Sequence, residues 1–297
     1  MRVVIESLST SVQLRSIELE LTGACQLQCS HCFASSSPQG THGTMTRQDW
    51  LTLISEAAVL GVPQIQLLGG EPTAYPHWVE LTKYALSLGL KVEIYSNLYA
   101  VQSHWWDVLG HKGASLATSY YSDDPTEHDQ ITKRPGSHQR TRGNIRKSVQ
   151  RGIPVRVGIV EVHPRQRIEQ ARQELAELGV VHIRVDRQRA IGRAAGGATP
   201  DPSELCGRCG TGRVAVLPDG SVAPCVMSRF MACGNVKEQP LAEVLVGPQW
   251  RAAIARIPAR AGNPCDPDCN PASDGSDCSP AEQTACDPAY ADIPDKK

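Results

Sequence analysis

The sequence lacks the features that would place a chain in a membrane or direct it across one. No stretch approaches the roughly 20 consecutive apolar residues that a membrane-spanning helix needs. The N-terminal residues MRVVIESLSTSVQLRS contain neither the apolar centre of a signal peptide nor a small-residue cleavage site. We therefore expect a cytoplasmic protein with no membrane partner.

An excess of charge of either sign is also missing. The chain of 297 residues has 30 Lys and Arg against 31 Asp and Glu, which gives a net charge of −1. Such a balance provides no electrostatic reason to bind nucleic acid or an anionic surface. With 40% hydrophobic and 21% charged residues, the composition is that of an ordinary globular protein. We expect no nucleic-acid partner.

Cysteine, in contrast, is abundant. The chain has 11 cysteines, and in a reducing compartment clustered cysteines bind metal or perform redox chemistry more often than they form disulfides. The odd number also leaves at least one cysteine unpaired in a scheme of disulfides alone. Three of them, Cys25, Cys29 and Cys32, lie within the segment ELTGACQLQCSHCFASS.

The segment 1–190 alternates between strand-like and helix-like stretches. Helix-like stretches often end in Gly, and Thr46 is a candidate N-cap of the first one. This alternation predicts a parallel sheet with right-handed crossovers. Because no Gly-x-Gly-x-x-Gly follows the first strand, we favour a barrel, or part of one, over an open doubly wound sheet. The predicted strands are 16–22, 64–69, 91–97, 114–120, 154–162 and 181–186.

The composition changes after the sixth strand. Residues 190–204, AIGRAAGGATPDPSE, are mostly small and rich in Gly and Pro, which predicts a linker. VAVLPDGSVAPC, residues 214–225, predicts a β-hairpin around a Pro-Asp-Gly-Ser turn. The tail, 265–297, is dense in Pro, Asp and Cys. Burial of apolar residues cannot stabilise such a segment, so it needs another source of stability. We predict two domains, 1–195 and 196–297.

The cysteine triplet follows the first strand, at the end of the sheet where a parallel α/β barrel carries its active site. Three thiolates from one loop can hold three irons of a [4Fe–4S] cluster and leave the fourth iron open. The alternative is a zinc ion with His31 as fourth ligand. Adjacent His31 and Cys32 would, however, struggle to chelate one small ion.

Gly69-Gly70-Glu71-Pro72 follows the second strand. Paired glycines let a backbone approach a ligand closely, and Glu71 adds a carboxylate at the same end of the sheet. An ordinary turn between a strand and a helix would account for these residues equally well.

Together, the triplet and the glycine pair resemble the paired signature of the radical S-adenosylmethionine (SAM) superfamily. The resemblance covers the segment 1–190 and implies a partial (β/α)6 TIM barrel. It implies that the open iron chelates the amino and carboxylate groups of SAM. An electron from the cluster would cleave the sulfonium to a 5′-deoxyadenosyl radical, which abstracts hydrogen from a substrate. Gly69, Gly70 and Glu71 would contact the methionyl amine, Glu71 as an anionic acceptor.

The resemblance suggests further SAM-binding residues, although it assigns no catalytic side chain. Polar residues at the strand ends, Ser96, Asn97 and Ser119, are candidates for the ribose hydroxyls and the carboxylate. Arg134 lies in a segment that looks like one of the peptide-modifying members, and it either binds the carboxylate or caps a loop. Phe33 is a candidate for the wall near the adenine.

The C-terminal part is similar to the SPASM extension, or its shorter "twitch" version, which holds one or two auxiliary [4Fe–4S] clusters. Cys209-x10-Gly220-x4-Cys225 matches its opening. The tail spacing x3, x8, x7 departs from the family's C-x2-C-x5-C-x3-C, and Cys233 sits where a non-ligand residue is expected. A zinc site on Cys206-x2-Cys209 is the alternative. The implied ligands are Cys206, Cys209, Cys225, Cys265, Cys269, Cys278 and Cys286.

One helix-like stretch, residues 138–152, is strongly basic. Its cations predict a solvated helix face, with docking of an acidic peptide as the alternative. They are Arg140, Arg142, Arg146, Lys147 and Arg151.

These resemblances imply a radical SAM oxidoreductase that matures a ribosomally synthesised precursor peptide by crosslinking or epimerisation. A small-molecule enzyme of the superfamily, for instance one acting on an aminoglycoside sugar, is the alternative. A non-catalytic zinc-binding scaffold is a remote one. The expected partners are the peptide and an electron donor of flavodoxin or ferredoxin type. Because only the short segment 1–15 precedes the first strand, we also expect that any leader peptide is recognised by a separate protein.

Overall fold

Six parallel strands lie side by side in chain order, as the sequence predicts. The computed structural model describes residues 14–258. The sheet order is β6-β5-β4-β3-β2-β1-β7-β8, so within these residues the sheet has two edges and does not close. The result is a partial barrel. The six strands are β1 Ser16–Glu20, β2 Gln64–Leu68, β3 Lys91–Tyr95, β4 Ala114–Tyr120, β5 Val155–Glu161 and β6 His182–Arg187.

Helices connect the strands and cover the outside of the sheet. Thr46 caps the first of them as predicted, because its hydroxyl accepts from the Asp49 amide while the Asp49 carboxylate accepts from the Thr46 amide. None of the helices in residues 14–258 has the length and apolar content needed to cross a membrane. The helices between strands are α1 Arg47–Val59, α2 Trp78–Ser87, α3 Trp105–Leu109, α4 Pro125–Thr132, α5 Ser137–Gln150 and α6 Ile168–Glu177.

The predicted hairpin is confirmed. Strand β7 (Arg213–Val216) pairs antiparallel with β8 (Val222–Ala223), and β7 also pairs parallel with β1. The sheet therefore continues from the barrel strands into the C-terminal part of the chain. Two short helices, α7 (Leu241–Val246) and α8 (Pro248–Ala255), follow.

Two carboxylates of β1 bind the C-terminal part directly. Glu18 accepts a hydrogen bond from the Val226 amide at 2.8 Å, and Glu20 pairs with the Arg229 guanidinium at 2.7 Å. Burial raises the pKa of Glu20, and the Arg229 charge opposes that shift. The ion pair thus offsets part of the effect of burial while it holds the two parts of the chain together.

A polar cluster crosses the sheet beneath the strand ends. Arg156 of β5 donates two hydrogen bonds, of 2.8 and 2.7 Å, to the Glu93 carboxylate of β3. Gln66 of β2 donates a third, of 2.8 Å. Both charged side chains are essentially inaccessible to solvent. The small side chain of Ala117 on the intervening strand lies level with Arg156 and leaves space for the contact.

Candidate active site

A cavity of about 150 Å³ lies at the carboxyl ends of the parallel strands. The loop after β1 contributes all three cysteines of the triplet, and the turn after β2 contributes Gly69 and Gly70. Four more predicted residues also line it: Phe33, Ser96, Asn97 and Ser119. The fold thus brings most of the predicted cofactor-binding residues to one place.

Two of the clustered thiols lie in an environment that disfavours bare thiolates. Burial raises the pKa of Cys25 strongly, and burial together with the neighbouring Cys32 raises that of Cys29 to about 12. N–H groups lie near two of the sulfurs, since the Leu27 amide is 3.4 Å from Cys25 Sγ and the Ser36 amide 3.4 Å from Cys32 Sγ. Thiols in such an environment lose their protons and become thiolates when they bind a metal cation.

Three cysteine sulfurs lining one cavity are the donor set that an iron–sulfur cluster takes. Across residues 14–258, no three His, Cys, Asp or Glu side chains converge as the ligands of one metal ion do. The cysteines of a four-iron cluster bind different irons and can therefore stand further apart. His31 lies in the cavity wall with its ring against Tyr121, at a centroid distance of 4.9 Å. Burial lowers the pKa of His31 to about 4.

The paired glycines are required by close backbone contact. Gly69 has a φ of +143°, and a Cβ there would lie 2.5 Å from the Thr22 carbonyl oxygen. A Cβ on Gly70 would lie 2.3 Å from the Ala24 carbonyl oxygen. Since only glycine allows this approach, the turn after β2 can pack directly on the loop that carries the cysteines.

The Glu71 carboxylate is engaged within the protein. One oxygen accepts from the Asn97 amide at 2.9 Å, and the other accepts from the Thr73 hydroxyl at 2.6 Å. Glu71 is 2% exposed, and burial raises its pKa while these hydrogen bonds oppose the shift. The side chain joins the turn after β2 to the end of β3 and is not among the residues lining the cavity. Its predicted contact with an ammonium group stays a prediction.

Arg134 also lies outside the cavity lining. Its side chain is exposed and donates a hydrogen bond of 3.0 Å to the Tyr99 hydroxyl. The guanidinium lies over the Tyr99 ring, 5.1 Å from its centre. The structure therefore places Arg134 on the surface beside the site, and its predicted role as a carboxylate partner stays a prediction.

The segment 190–204 was expected to be a linker, and that expectation is wrong at its start. Gly192–Ala195 forms a 3₁₀ turn that packs on the cysteine loop. The Arg193 amide donates to the Cys32 carbonyl at 2.9 Å, and its guanidinium donates to the carbonyls of Cys29 and Ser36. Arg193 thus orders the loop from across the barrel. In the sequence, only a Gly-Arg pair marks this position. The carbonyls that Arg193 binds lie 164 and 157 positions earlier in the chain, too far for a sequence pattern to connect them.

Several residues that the sequence analysis did not name as cofactor-binding also line the cavity. They are Tyr95, Tyr121, His128, Asp186 and Met227, together with residues already named. His128 is 1% exposed, and its Nδ1 has no hydrogen-bond partner among the described residues. Its ring contacts Tyr120 and Tyr121, at centroid distances of 5.0 and 5.2 Å. These rings form an aromatic part of the cavity wall.

The neutral state of His128 predicts that acid destabilises the fold. Burial and the nearby His138 lower the pKa of His128 from 6.5 to about 3. Below pH 6.5, His128 is protonated in the unfolded chain but stays neutral in the folded chain. The free energy of unfolding therefore falls as the pH drops. The loss from this residue is about 2 kcal/mol between about pH 6.5 and about pH 5.

Urea denaturation across this pH range measures the loss. His128→Phe should flatten the dependence, whereas His111→Gln, at an exposed position, should follow the wild-type curve. An equal slope in wild type and His128→Phe would contradict the assignment.

The C-terminal cysteines form a second group. Cys209 and Cys225 are buried, with their sulfurs 3.0 Å apart and no disulfide between them. Cys206 is half-buried. Cys233 is directed to the Val222 carbonyl at 3.2 Å, and burial raises its pKa to about 12. The remaining predicted ligands lie outside the described residues: Cys265, Cys269, Cys278 and Cys286.

Sequence comparison gives matches to two family profiles. The radical SAM superfamily matches residues 19–183, and the SPASM iron–sulfur cluster-binding domain matches residues 206–271. The first match alone covers more than half of the chain. The domain bounds 1–195 and 196–297 stay a prediction.

Two curated relatives are similar over part of the chain. The sporulation killing factor maturation protein SkfB of Bacillus subtilis is 30% identical over 184 residues, which are 61% of this chain and 44% of SkfB. PqqA peptide cyclase of Ruegeria pomeroyi is 30% identical over 171 residues, 56% of this chain and 45% of the cyclase. The chain thus spans less than half the length of either relative.

A solved structure supports the fold. Streptococcus suis SuiB bound to precursor peptide SuiA superposes with a TM-score of 0.70 at 15% identity. The match covers 84% of this chain and 69% of SuiB. At this level of identity the likeness concerns the architecture alone.

Proposed function

The chain belongs to the radical SAM superfamily, and from that membership we propose that it cleaves SAM reductively and abstracts a hydrogen atom from a precursor peptide. The observation that carries this proposal is the convergence of the cysteine triplet, the paired glycines and the polar strand ends on one cavity. Crosslinking or epimerisation of the peptide would follow from the abstraction.

In this proposal, Cys25, Cys29 and Cys32 hold a [4Fe–4S] cluster through three irons. A cluster and SAM bound there supply a 5′-deoxyadenosyl radical, and the protein supplies the setting for it. Gly69 and Gly70 allow SAM to lie against the backbone, and Glu71 holds their turn to the end of β3.

Other side chains bind and shield the cofactor. Ser96, Asn97 and Ser119 offer polar groups to its ribose and carboxylate, and Phe33 offers an apolar wall to its adenine. Tyr121 and His128 close the cavity with rings, so that a reactive radical meets its substrate rather than water.

The C-terminal part would hold one or two auxiliary clusters. Cys209 and Cys225 support this proposal because both are buried and adjacent, while Cys206 lies three positions before Cys209. The other sulfurs would come from the four cysteines of the tail. Cys233 is left out, since it contacts a backbone carbonyl instead.

The peptide substrate is supported by the SPASM match and by relatives whose names describe action on peptides. The proposal also includes an electron donor of flavodoxin or ferredoxin type, because reductive cleavage consumes an electron. A separate leader-recognition protein and a cytoplasmic location complete it, the location because a reducing compartment keeps thiols available.

Metal analysis and isotope transfer test the proposal together. Protein reconstituted without oxygen should hold about eight to twelve irons per chain, and with dithionite it should release 5′-deoxyadenosine from SAM. A deuterated copy of any short precursor peptide found to be encoded beside the gene should transfer deuterium to that product. Stoichiometric zinc without iron would overturn the proposal. Deuterium transfer from a deuterated aminosugar but not from the peptide would show that the substrate is a sugar rather than a peptide.

A further inference from the structure

A group of exposed cations lies on and just before helix α5. Helix α5 has four Lys and Arg residues and no Asp or Glu. Arg142 is paired with Glu174 and is therefore set aside. We give the name cationic edge to four of the exposed cations on and just before this helix: Lys133, Arg134, Arg140 and Lys147. Within residues 14–258, these four side chains form no ion pair with a carboxylate.

Aromatic rings lie between these cations. The Tyr99 ring is contacted by the guanidinium groups of Arg134 and Arg140, at 5.1 and 4.6 Å from its centre. Further along α5, the ammonium of Lys147 lies 4.8 Å from the Trp106 ring. The rings hold these long side chains in place, so the positive charge is a fixed feature of the surface.

The two residues just before the cationic edge are hydrogen-bonded to the cysteine loop. The amides of Gln28 and Ser30, on either side of Cys29, donate to the carbonyls of Thr132 and Ile131 at 3.1 and 3.0 Å. Lys133 is the next residue in the chain.

A second connection runs through Asn97. The Tyr99 backbone N–H donates to the Asn97 side-chain oxygen at 2.9 Å. The side-chain nitrogen of Asn97 lies 3.5 Å from Cys25 Sγ. Two short contacts thus lead from a surface ring to a sulfur of the triplet.

We infer that the cationic edge is the docking surface of an acidic one-electron donor, a small flavoprotein of the flavodoxin type. This inference rests on the proposed function, since a donor is needed only if a cluster is reduced. In the step, one electron leaves the reduced flavin and the oxidised cluster gains it, with no bond formed or broken between the partners. Opposite charge brings the two proteins together and orients them.

The position of the edge favours a protein donor over an acidic peptide substrate. A substrate must enter the cavity to meet the radical, and neither Arg134 nor Arg140 lines that cavity. An electron has to reach only the cysteine loop, which is hydrogen-bonded to Ile131 and Thr132, the residues immediately before Lys133. The surface is therefore placed for electron delivery rather than for substrate entry.

Binding of flavodoxin to the reconstituted protein tests this inference. Titration calorimetry at about 20 mM and about 200 mM salt should show affinity that falls steeply with salt. Lys133→Gln/Arg140→Gln should weaken binding about tenfold at low salt and slow flavodoxin-driven cluster reduction by a similar factor. The control Lys83→Gln/Lys91→Gln removes the same charge from exposed positions on α2 and at the start of β3. It should stay within about twofold of wild type.

Dithionite separates the two hypotheses. Both double variants should release 5′-deoxyadenosine at the wild-type rate when dithionite replaces the protein donor. If wild type releases none, the proposed function fails and the inference fails with it. If release is normal but flavodoxin binds both double variants equally, the docking surface alone is wrong. Binding of a ten-residue Glu-rich peptide that depends on Lys133 and Arg140, with no such dependence for flavodoxin, would assign the surface to a peptide instead.

Discussion

Replacing Cys25, Cys29 and Cys32 together with alanine is expected to reduce release of 5′-deoxyadenosine to the assay background. The three sulfurs line one cavity, and burial raises the pKa of Cys25 and Cys29, so they need a bound cation to become thiolates. Without them the protein cannot hold the cluster that reduces SAM. Iron content should fall by about four atoms per chain, the content of one cluster.

Chromatographic quantification of 5′-deoxyadenosine with dithionite as reductant measures the effect. Cys233→Ala is the matched control, because it removes a buried thiol that contacts a backbone carbonyl, and it should retain turnover. Circular dichroism should show that the triple variant stays folded. Continued turnover in a folded triple variant would contradict the site assignment.

The second large effect concerns stability. Arg156→Met should lower the free energy of unfolding by about 3–5 kcal/mol, because it removes the guanidinium that donates two hydrogen bonds to the buried Glu93 carboxylate. The two side chains are 2% and 0% exposed, so water cannot compensate. Replacing both, as Glu93→Leu/Arg156→Met, should cost much less, since no uncompensated charge then remains.

Urea denaturation of Arg156→Met, Glu93→Leu and the double variant gives the coupling energy between the two side chains. Arg47→Met, at an exposed ion pair with Glu80, is the control and should change stability far less. Arg156 also lies 5.6 Å from the ring centre of Tyr95, which lines the cavity. We therefore expect reduced SAM binding in Arg156→Met. Additive single effects would mean that the pair contributes no coupling.

The secondary structure was predictable because its signals are local. All six barrel strands and the hairpin lie where the sequence placed them, within about two residues at each end. The first helix begins at its predicted cap, Thr46. Helix α4 was missed, because its short polar sequence, PTEHDQIT, shows little apolar periodicity.

The cavity was predictable in part. A motif states which residues occur together, so the triplet, the two glycines and the polar strand ends were named correctly as neighbours. It does not state where a side chain points. Glu71 turns to Thr73 and Asn97, and Arg134 turns to Tyr99.

The sequence by itself determined the strand order, the superfamily and the cysteine loop, since spacing and apolar pattern are properties of neighbouring residues. Only the tertiary structure decided which distant groups serve that loop. Arg193 reaches its carbonyls from beyond the sixth strand, and Tyr121 and His128 line its cavity. Ile131 and Thr132, which precede the cationic edge, are hydrogen-bonded to it as well. These contacts depend on how the sheet curves, and that curvature is a property of the packed chain as a whole.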